Sequence, residues 1–151
     1  MKICFVASSG GHLEEINQLK GIAEKYDNFL VTEQSEYQSI KLGEKKYFVR
    51  KTDRKEKLFL IHFIKLFFQA AKILKKEKPD LIISTGALIT YPFCLLGKFM
   101  KIKSIYIESF ARVNTPSMTG KLMHPIANLF IVQSEELLQF FPNAVYGGSI
   151  F

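Results

Sequence analysis

Short apolar runs of strand length alternate with helix-like segments along the whole chain, and this alternation restricts the fold more than any other feature. The strand-like runs are almost continuously apolar, as in Lys2–Ala7 and Leu81–Ser84. Strands of this kind are buried on both faces, which is typical of parallel sheets covered by helices. The sequence therefore predicts an α/β fold: one Rossmann-like domain over residues 1–151, with a mostly parallel sheet and helices on both faces.

The spacing of the apolar residues assigns the individual elements. Apolar positions three and four residues apart predict one helix at 13–23 and a long helix at 58–76. Further strands are predicted at 29–32, 46–49, 103–107, 129–133 and 144–146, and further helices at 89–100, 117–124 and 135–140. The polar segments 33–44 and 112–116 are expected to be loops.

Three loops are the places to look for a ligand, because ligands of such folds bind beyond the carboxyl ends of the strands. They read SSGGH at 8–12, STGA at 84–87 and ESFAR at 108–112. Glycines let a backbone approach a ligand closely, and free N–H groups at a helix start suit a phosphate. Tight strand-to-helix turns would also explain the first two loops, and both readings stay open here.

Two side chains in these loops are suited to proton transfer. His12 stands just inside a helix, where the helix dipole disfavours a charged ring and favours a neutral one that accepts a proton. Glu108 follows a strand directly and could orient a ligand hydroxyl or act as a base. Arg112 could bind a phosphate or pair with Glu108. A purely structural role for each residue is the alternative.

The predicted helix at 58–76 combines aromatic and basic residues. Its apolar arc is wider than one sheet face requires, and a helix of this kind can lie in a membrane interface. The net charge of +7 also favours an anionic partner. Packing in the core or against another protein is the alternative. The candidates for a membrane contact are Phe63, Phe67, Phe68, Lys72, Lys75 and Lys76.

Several other site classes receive no support. The three histidines, at 12, 62 and 124, lack the spacing of metal ligands, so no metal is expected. The aromatic residues lie in apolar runs rather than among basic residues, so nucleic acid is not an expected partner. The two cysteines, Cys4 and Cys94, form no motif, and Cys4 is expected in the core. No apolar stretch is long enough to span a bilayer.

Six segments, taken in this order, resemble a known family: ASSGGHL at 7–13, STG at 84–86, YIES at 106–109, SMTGKL at 117–122, IVQ at 131–133 and YGG at 146–148. The chain resembles the acceptor-side subunit of bipartite glycosyltransferases, namely the eukaryotic asparagine-linked-glycosylation subunit and bacterial capsule and exopolysaccharide proteins of the PssD and CpsF type. It is also similar to the N-terminal domain of MurG-type transferases. From that pattern it departs at Ser8, Ser9, Ala87, Ser109 and Phe110.

The resemblance implies the N-terminal half of a GT-B fold and a glycosyltransferase that needs a second subunit. That partner would bind the UDP-sugar, whereas this chain would hold a polyprenyl-diphosphate-linked sugar without a cofactor of its own. The location implied is peripheral, on the cytoplasmic face of the cell membrane, in capsule or exopolysaccharide synthesis. His12 is then the first candidate for the catalytic base and Glu108 the second. Candidates for the diphosphate are Ser9, Gly10, Gly11, Gly86 and Arg112.

Other functions remain compatible with the sequence. The chain could be a non-catalytic enhancer that recruits a catalytic glycosyltransferase to membranes. A stand-alone phosphate- or nucleotide-binding regulator and a nucleic-acid binder are further alternatives, and each would bind its ligand without the partner.

Overall fold

A computed structural model describes residues 1–33 and 42–151, so most of the loop predicted at 33–44 lies outside the described residues. Within that part, seven strands form one sheet in the order β3-β2-β1-β4-β5-β6-β7. Every neighbouring pair is parallel, which confirms the predicted parallel sheet. The strands are β1 (Lys2–Ala7), β2 (Asp27–Glu33), β3 (Lys45–Val49), β4 (Leu81–Ser84), β5 (Lys103–Ile107), β6 (Leu129–Val132) and β7 (Val145–Tyr146).

The helices follow the predicted positions with one exception. They are α1 (Gly11–Asn17), α2 (Lys20–Ala23), α3 (Phe59–Glu77), α4 (Thr90–Phe99) and α5 (Met118–Met123), with a 3₁₀ turn at Glu135–Gln139. The single helix predicted at 13–23 is wrong, since α1 and α2 are separate. The N–H groups of Gln18 and Leu19 bond to carbonyls three residues back, so the α-helical hydrogen-bond pattern stops between the two helices.

Helices cover both faces of the sheet, as predicted. Along β1, Cys4 and Val6 point into a core shared with α3, α4 and α5, whereas Ile3 and Phe5 point into a second core shared with α1 and α2. Because both faces are buried, the strands are apolar at consecutive positions rather than alternate ones. Cys4 lies in the core as expected.

The parallel register brings three strand ends together. Val6 of β1 pairs with Ser84 of β4, and Ser84 in turn pairs with Tyr106 of β5. The loops that follow these strands therefore leave the same edge of the sheet side by side. This edge, at the carboxyl ends of the strands, carries the candidate site.

At the amino ends of the strands, the sheet is bonded to α3 through Glu77. Its side chain is only 6% exposed and accepts a hydrogen bond from Lys2 Nζ at 2.6 Å. It also accepts bonds from the Lys45 ammonium and the Tyr47 hydroxyl. The bonds from Lys2, Lys45 and Tyr47 lower the pKa of the Glu77 carboxyl to about 2. This cluster links β1 and β3 to the end of α3.

Candidate functional site

The loops after β1, β4 and β5 enclose a cleft at the carboxyl edge of the sheet. Its volume is about 290 Å³, and it is lined by residues that include His12, Ser109, Arg112 and Ser117. A neighbouring cleft of about 430 Å³ shares Arg54 and Ala87 with it. His12 and Arg112, which were predicted from separate motifs, therefore face one cavity.

His12 is held in one orientation by the loop after β4. Its ring Nδ1 lies 2.8 Å from the Thr85 carbonyl oxygen, and the Thr85 hydroxyl donates to the His12 carbonyl at 2.6 Å. A carbonyl oxygen only accepts, so Nδ1 carries the proton and the Nε2 lone pair is left available. The side chain is 30% exposed and lines the cleft. The geometry fits a base that takes a proton at Nε2.

Gly86 lies beside the His12 ring, and its own amide is already bonded. Its N–H donates to the Ser84 hydroxyl at 3.2 Å, so this amide is turned inward and is already bonded. A Cβ at position 86 would lie 2.8 Å from Cε1 of His12, and the backbone φ of 123° disfavours other residues. Gly86 therefore makes room for the His12 ring, and this geometry does not support the predicted contact between its N–H and a diphosphate.

The glycine-rich loop after β1 places two exposed glycines directly before His12. Gly10 caps α1 with a φ of 84°, and Gly11 begins the helix. Amides in the first turn of a helix have no acceptor within it, so those of Gly10 and Gly11 remain candidates for an anion.

Ser9 is a weaker candidate for the diphosphate, because it adjoins a buried carboxylate. Its hydroxyl donates to Glu33 at 3.5 Å, and Glu33 is 7% exposed. Burial raises the pKa of the Glu33 carboxyl, while a bond from the Ser9 backbone and the charge of Lys51 act against that rise. An anion bound at Ser9 would therefore meet a second negative group whenever Glu33 is ionised.

Glu108 is fully buried and is turned toward α5. Its Oε1 accepts the Ser109 N–H at 3.0 Å, and its Oε2 accepts the Ser117 hydroxyl at 3.0 Å and the Ser117 N–H at 3.2 Å. Ser117 in turn caps α5 by accepting the Gly120 N–H at 2.8 Å. This geometry favours a positioning role for Glu108, and its role as a second base stays a prediction. Within residues 1–33 and 42–151, no ion pair joins it to Arg112.

Two residues that the sequence did not single out lie at the cleft or beside His12. Arg54, from the basic stretch 50–57 between β3 and α3, lines both clefts and reaches the sulfur of Met118 at 2.7 Å. Glu15 lies one helical turn after His12 on α1 and is buried beside it. The dense basic stretch and the i,i+3 spacing were the available signals.

The membrane-facing candidates on α3 divide into two groups. Phe63 and Phe67 are half-buried against Tyr91 of α4, with ring centroids 6.5 and 6.3 Å apart from it, so they serve mainly in packing. Phe68 is 74% exposed. Lys72, Lys75 and Lys76 are exposed as well, and Leu60, Ile61 and Ile64 extend the exposed apolar surface of this helix. Among the described residues, no helix combines the length and apolar character that crossing a bilayer requires.

The family follows from a match over most of the chain. Residues 49–150 correspond to the family described as "Oligosaccharide biosynthesis protein Alg14 like". The chain belongs to this family. It is 28% identical to the UDP-N-acetylglucosamine transferase subunit ALG14 of Homo sapiens over 182 residues, which cover 99% of this chain and 83% of the relative. The predicted resemblance is thereby confirmed, and with it the prediction of a glycosyltransferase subunit.

The chain also matches part of a longer protein. The Alg14-like chain is 34% identical over 118 residues to the UDP-N-acetylglucosamine–N-acetylmuramyl-(pentapeptide) pyrophosphoryl-undecaprenol N-acetylglucosamine transferase of Clostridium botulinum. This match covers 78% of the chain but only 30% of that enzyme. Most of that enzyme therefore lies outside the match.

Solved structures show the fold. MurG of Acinetobacter baumannii superposes with a TM-score of 0.68 at 13% identity, covering 87% of this chain and 40% of MurG. UDP-N-acetylglucosamine 2-epimerase of Rickettsia bellii superposes with a TM-score of 0.75 at 16% identity, covering 99% of this chain and 45% of the epimerase. The chain spans less than half of each protein, and the predicted half of a GT-B fold is confirmed.

Proposed function

We propose that this chain is the acceptor-binding subunit of a two-component glycosyltransferase. It binds a polyprenyl-diphosphate-linked sugar, and a partner subunit binds the UDP-sugar and closes the cleft from the other side. The observation that carries the proposal is His12: its Nδ1 is fixed by the Thr85 carbonyl at 2.8 Å, in a cleft of an Alg14-like fold. The name of the human relative supports UDP-N-acetylglucosamine as the first donor to test.

The proposed reaction begins with the acceptor hydroxyl. His12 Nε2 takes the hydroxyl proton while the oxygen attacks the anomeric carbon of the UDP-sugar, and the bond to UDP breaks. UDP leaves with the electron pair of that bond, and His12 later returns its proton to solvent. The resemblance to MurG-type enzymes implies inversion at the anomeric carbon and no need for a metal.

The acceptor diphosphate is assigned to the cationic side of the cleft. Arg54 and Arg112 line the cavity, and the exposed residues Gly10 and Gly11 directly precede His12, which lines it as well. Amides at a helix start and arginine side chains both donate to phosphate oxygens. Arg112→Gln should therefore raise the KM for the lipid-linked acceptor more than it lowers kcat.

A peripheral location on the inner face of the cell membrane follows from the same proposal, because the acceptor's lipid tail remains in the bilayer. The exposed apolar residues and lysines of α3 form the proposed contact. Capsule or exopolysaccharide assembly is the proposed cellular setting and rests on the resemblance to the PssD and CpsF proteins.

Vesicle binding tests the membrane contact with two matched double variants. Ile64→Ser with Phe68→Ser removes side chains that are 48% and 74% exposed on α3. Ile22→Ser with Tyr26→Ser removes side chains that are 41% and 42% exposed near α2, on the other sheet face. We expect the first pair to weaken binding to anionic vesicles about tenfold or more, since each buried apolar side chain contributes about 1.5–3 kcal/mol. Equal binding by both pairs would place the contact elsewhere.

Reconstitution tests the function itself. Transfer from labelled UDP-N-acetylglucosamine to a lipid-diphosphate-linked sugar is measured with this chain, its partner, and both together. We expect transfer only with both subunits, and a loss of about 100-fold or more in His12→Gln. His62→Gln is the control, because His62 pairs with Glu56 at 2.8 Å and does not line this cleft.

The same assay addresses the alternative of a non-catalytic enhancer. If His12→Gln and Glu108→Gln both retain normal turnover and partner binding, the chain recruits the catalytic subunit without contributing to the chemistry. Full transfer by the partner alone leads to the same conclusion.

A further inference from the structure

Glu15 is a buried carboxylate beside the proposed base. It lies three residues after His12 on α1 and is 3% exposed. Its Oε1 accepts the Ser109 hydroxyl at 3.1 Å and the Phe110 N–H at 2.6 Å. Its Oε2 lies 3.6 Å from Nδ1 of His12 and, among the described residues, has no hydrogen-bond partner.

An unsatisfied carboxylate oxygen is costly in the interior, because it has lost its hydration without a compensating bond. A positive charge at the His12 ring would offset this cost. Such a charge arises when Nε2 takes up a proton, since Nδ1 already carries one. The buried carboxylate is therefore placed to favour the protonated ring over the neutral one.

The other charged groups near His12 either oppose protonation of its ring or are bonded to other residues. Arg54 and Arg112 line the same cleft, and as cations they oppose protonation of the ring. Glu108 is bonded to Ser109 and Ser117, and Glu33 adjoins Ser9. Tyr106 is buried and its hydroxyl lies near Gly86. Glu15, in contrast, places a carboxylate oxygen 3.6 Å from Nδ1 of the ring.

We infer that Glu15 is a positioning residue for His12, an inference that rests on the proposed role of His12 as the base. When the acceptor hydroxyl gives its proton to Nε2, Nδ1–H stays bonded to Thr85, and Glu15 stabilises the resulting imidazolium. No proton passes to Glu15. Through Oε1 the same carboxylate ties the ESFAR loop to α1, so it also fixes the wall of the cleft that carries Arg112.

The direct test is an NMR titration of the His12 ring in the full chain, for which His12→Gln identifies the resonance. In Glu15→Gln, the pH at which the ring is half protonated should be lower than in the native chain, because the opposite charge 3.6 Å from Nδ1 is removed. Glu14→Gln is the matched control, because Glu14 is its exposed neighbour on α1. Ser109→Ala should leave the midpoint nearly unchanged, because the carboxylate keeps its charge.

Kinetics of the two-subunit enzyme supply the second readout. In Glu15→Gln, kcat should fall about tenfold or more with a smaller change in KM, and the acid limb of the pH–rate profile should move to lower pH. If Glu15→Gln does not fold, Glu15→Asp is tested in its place. Its side chain is one methylene shorter, which moves the charge away from the His12 ring. A smaller shift in the same direction is expected.

The outcomes separate this inference from the proposed function. A His12 midpoint that is the same in native protein, Glu15→Gln and Glu15→Asp would overturn the role of Glu15, even if the enzyme transfers sugar through His12. A shifted midpoint together with full turnover in His12→Gln would refute His12 as the base and with it the catalytic part of the inference, while the electrostatic coupling would stand.

Discussion

Replacing Glu77 by glutamine removes the charge at the centre of the cluster that fastens α3 to β1 and β3, with little change in shape. The pKa of the Glu77 carboxyl is lowered from 4.5 to about 2, first by the bond from Lys2 and then by those from Lys45 and Tyr47. At about 1.36 kcal/mol per pKa unit, this difference sets a ceiling of about 3 kcal/mol on its contribution to the free energy of unfolding.

The expected loss is smaller than that ceiling, because the lysine side chains are partly in solvent. That of Lys2 is 27% exposed and that of Lys45 is 50% exposed, so water screens both charges. We expect Glu77→Gln to reduce the free energy of unfolding by about 1–2 kcal/mol at pH 7.

The pH dependence gives the stronger test. Since the pKa of Glu77 is lower in the folded chain, its contribution is complete above about pH 4.5 and is lost as the pH falls toward 2. The native chain should therefore lose its advantage over Glu77→Gln across this range. The variant lacks this titration and should depend less on pH there.

Urea unfolding followed by far-UV circular dichroism measures both effects, and the absence of tryptophan makes fluorescence a poorer probe. With a slope of about 2 kcal/mol per molar, the midpoint of Glu77→Gln should lie about 0.5–1 M lower at pH 7. Glu24→Gln, at an exposed glutamate after α2, controls for the general loss of one negative charge. Equal midpoints for Glu77→Gln and Glu24→Gln, or a gap that persists unchanged to pH 2.5, would refute the reasoning.

Two glycines provide further predictions. Gly120→Ala should lower the free energy of unfolding by about 2 kcal/mol or more, because the new Cβ would overlap the Glu108 carboxylate. Gly21→Ala is the control, since its Cβ would meet nothing within 4 Å, and it should be neutral or stabilising by up to about 1 kcal/mol. A thermal melt of both variants decides this, and similar melting temperatures would contradict it. Gly86→Ala should displace the His12 ring and cut transfer by about tenfold or more. Normal transfer by that variant in the two-subunit assay would show that the ring position is not critical.

The predicted fold depended on information that is local in the sequence. Runs such as residues 81–83 are apolar at every position, and helical segments separate them, so a parallel sheet with helices on both faces is the arrangement that buries them. The same parallel order predicted that the three candidate loops lie at the carboxyl ends of the strands. The break between α1 and α2 was missed, because the apolar spacing from 13 to 23 continues across a turn whose bonds are of the 3₁₀ type.

The candidate site could be predicted only in part from the sequence. The sequence singled out His12 and Arg112, and the structure places both at one cleft. It could not show that the Gly86 amide bonds to Ser84, or that Glu108 is enclosed by the start of α5. On α3, it could not separate the exposed Phe68 from Phe63, which packs against Tyr91.

These differences have one physical cause. A strand or helix is determined by side chains a few residues apart, so its pattern can be recognised in the sequence. The state of a titratable group is determined by whatever surrounds it in space. His12 bonds to Thr85 across 73 positions of the sequence, and Glu15 bonds to Ser109 across 94. The sequence by itself determined the sheet and the edge that carries the candidate site, and only tertiary packing decided which nitrogen of His12 is free and which carboxylate lies beside it.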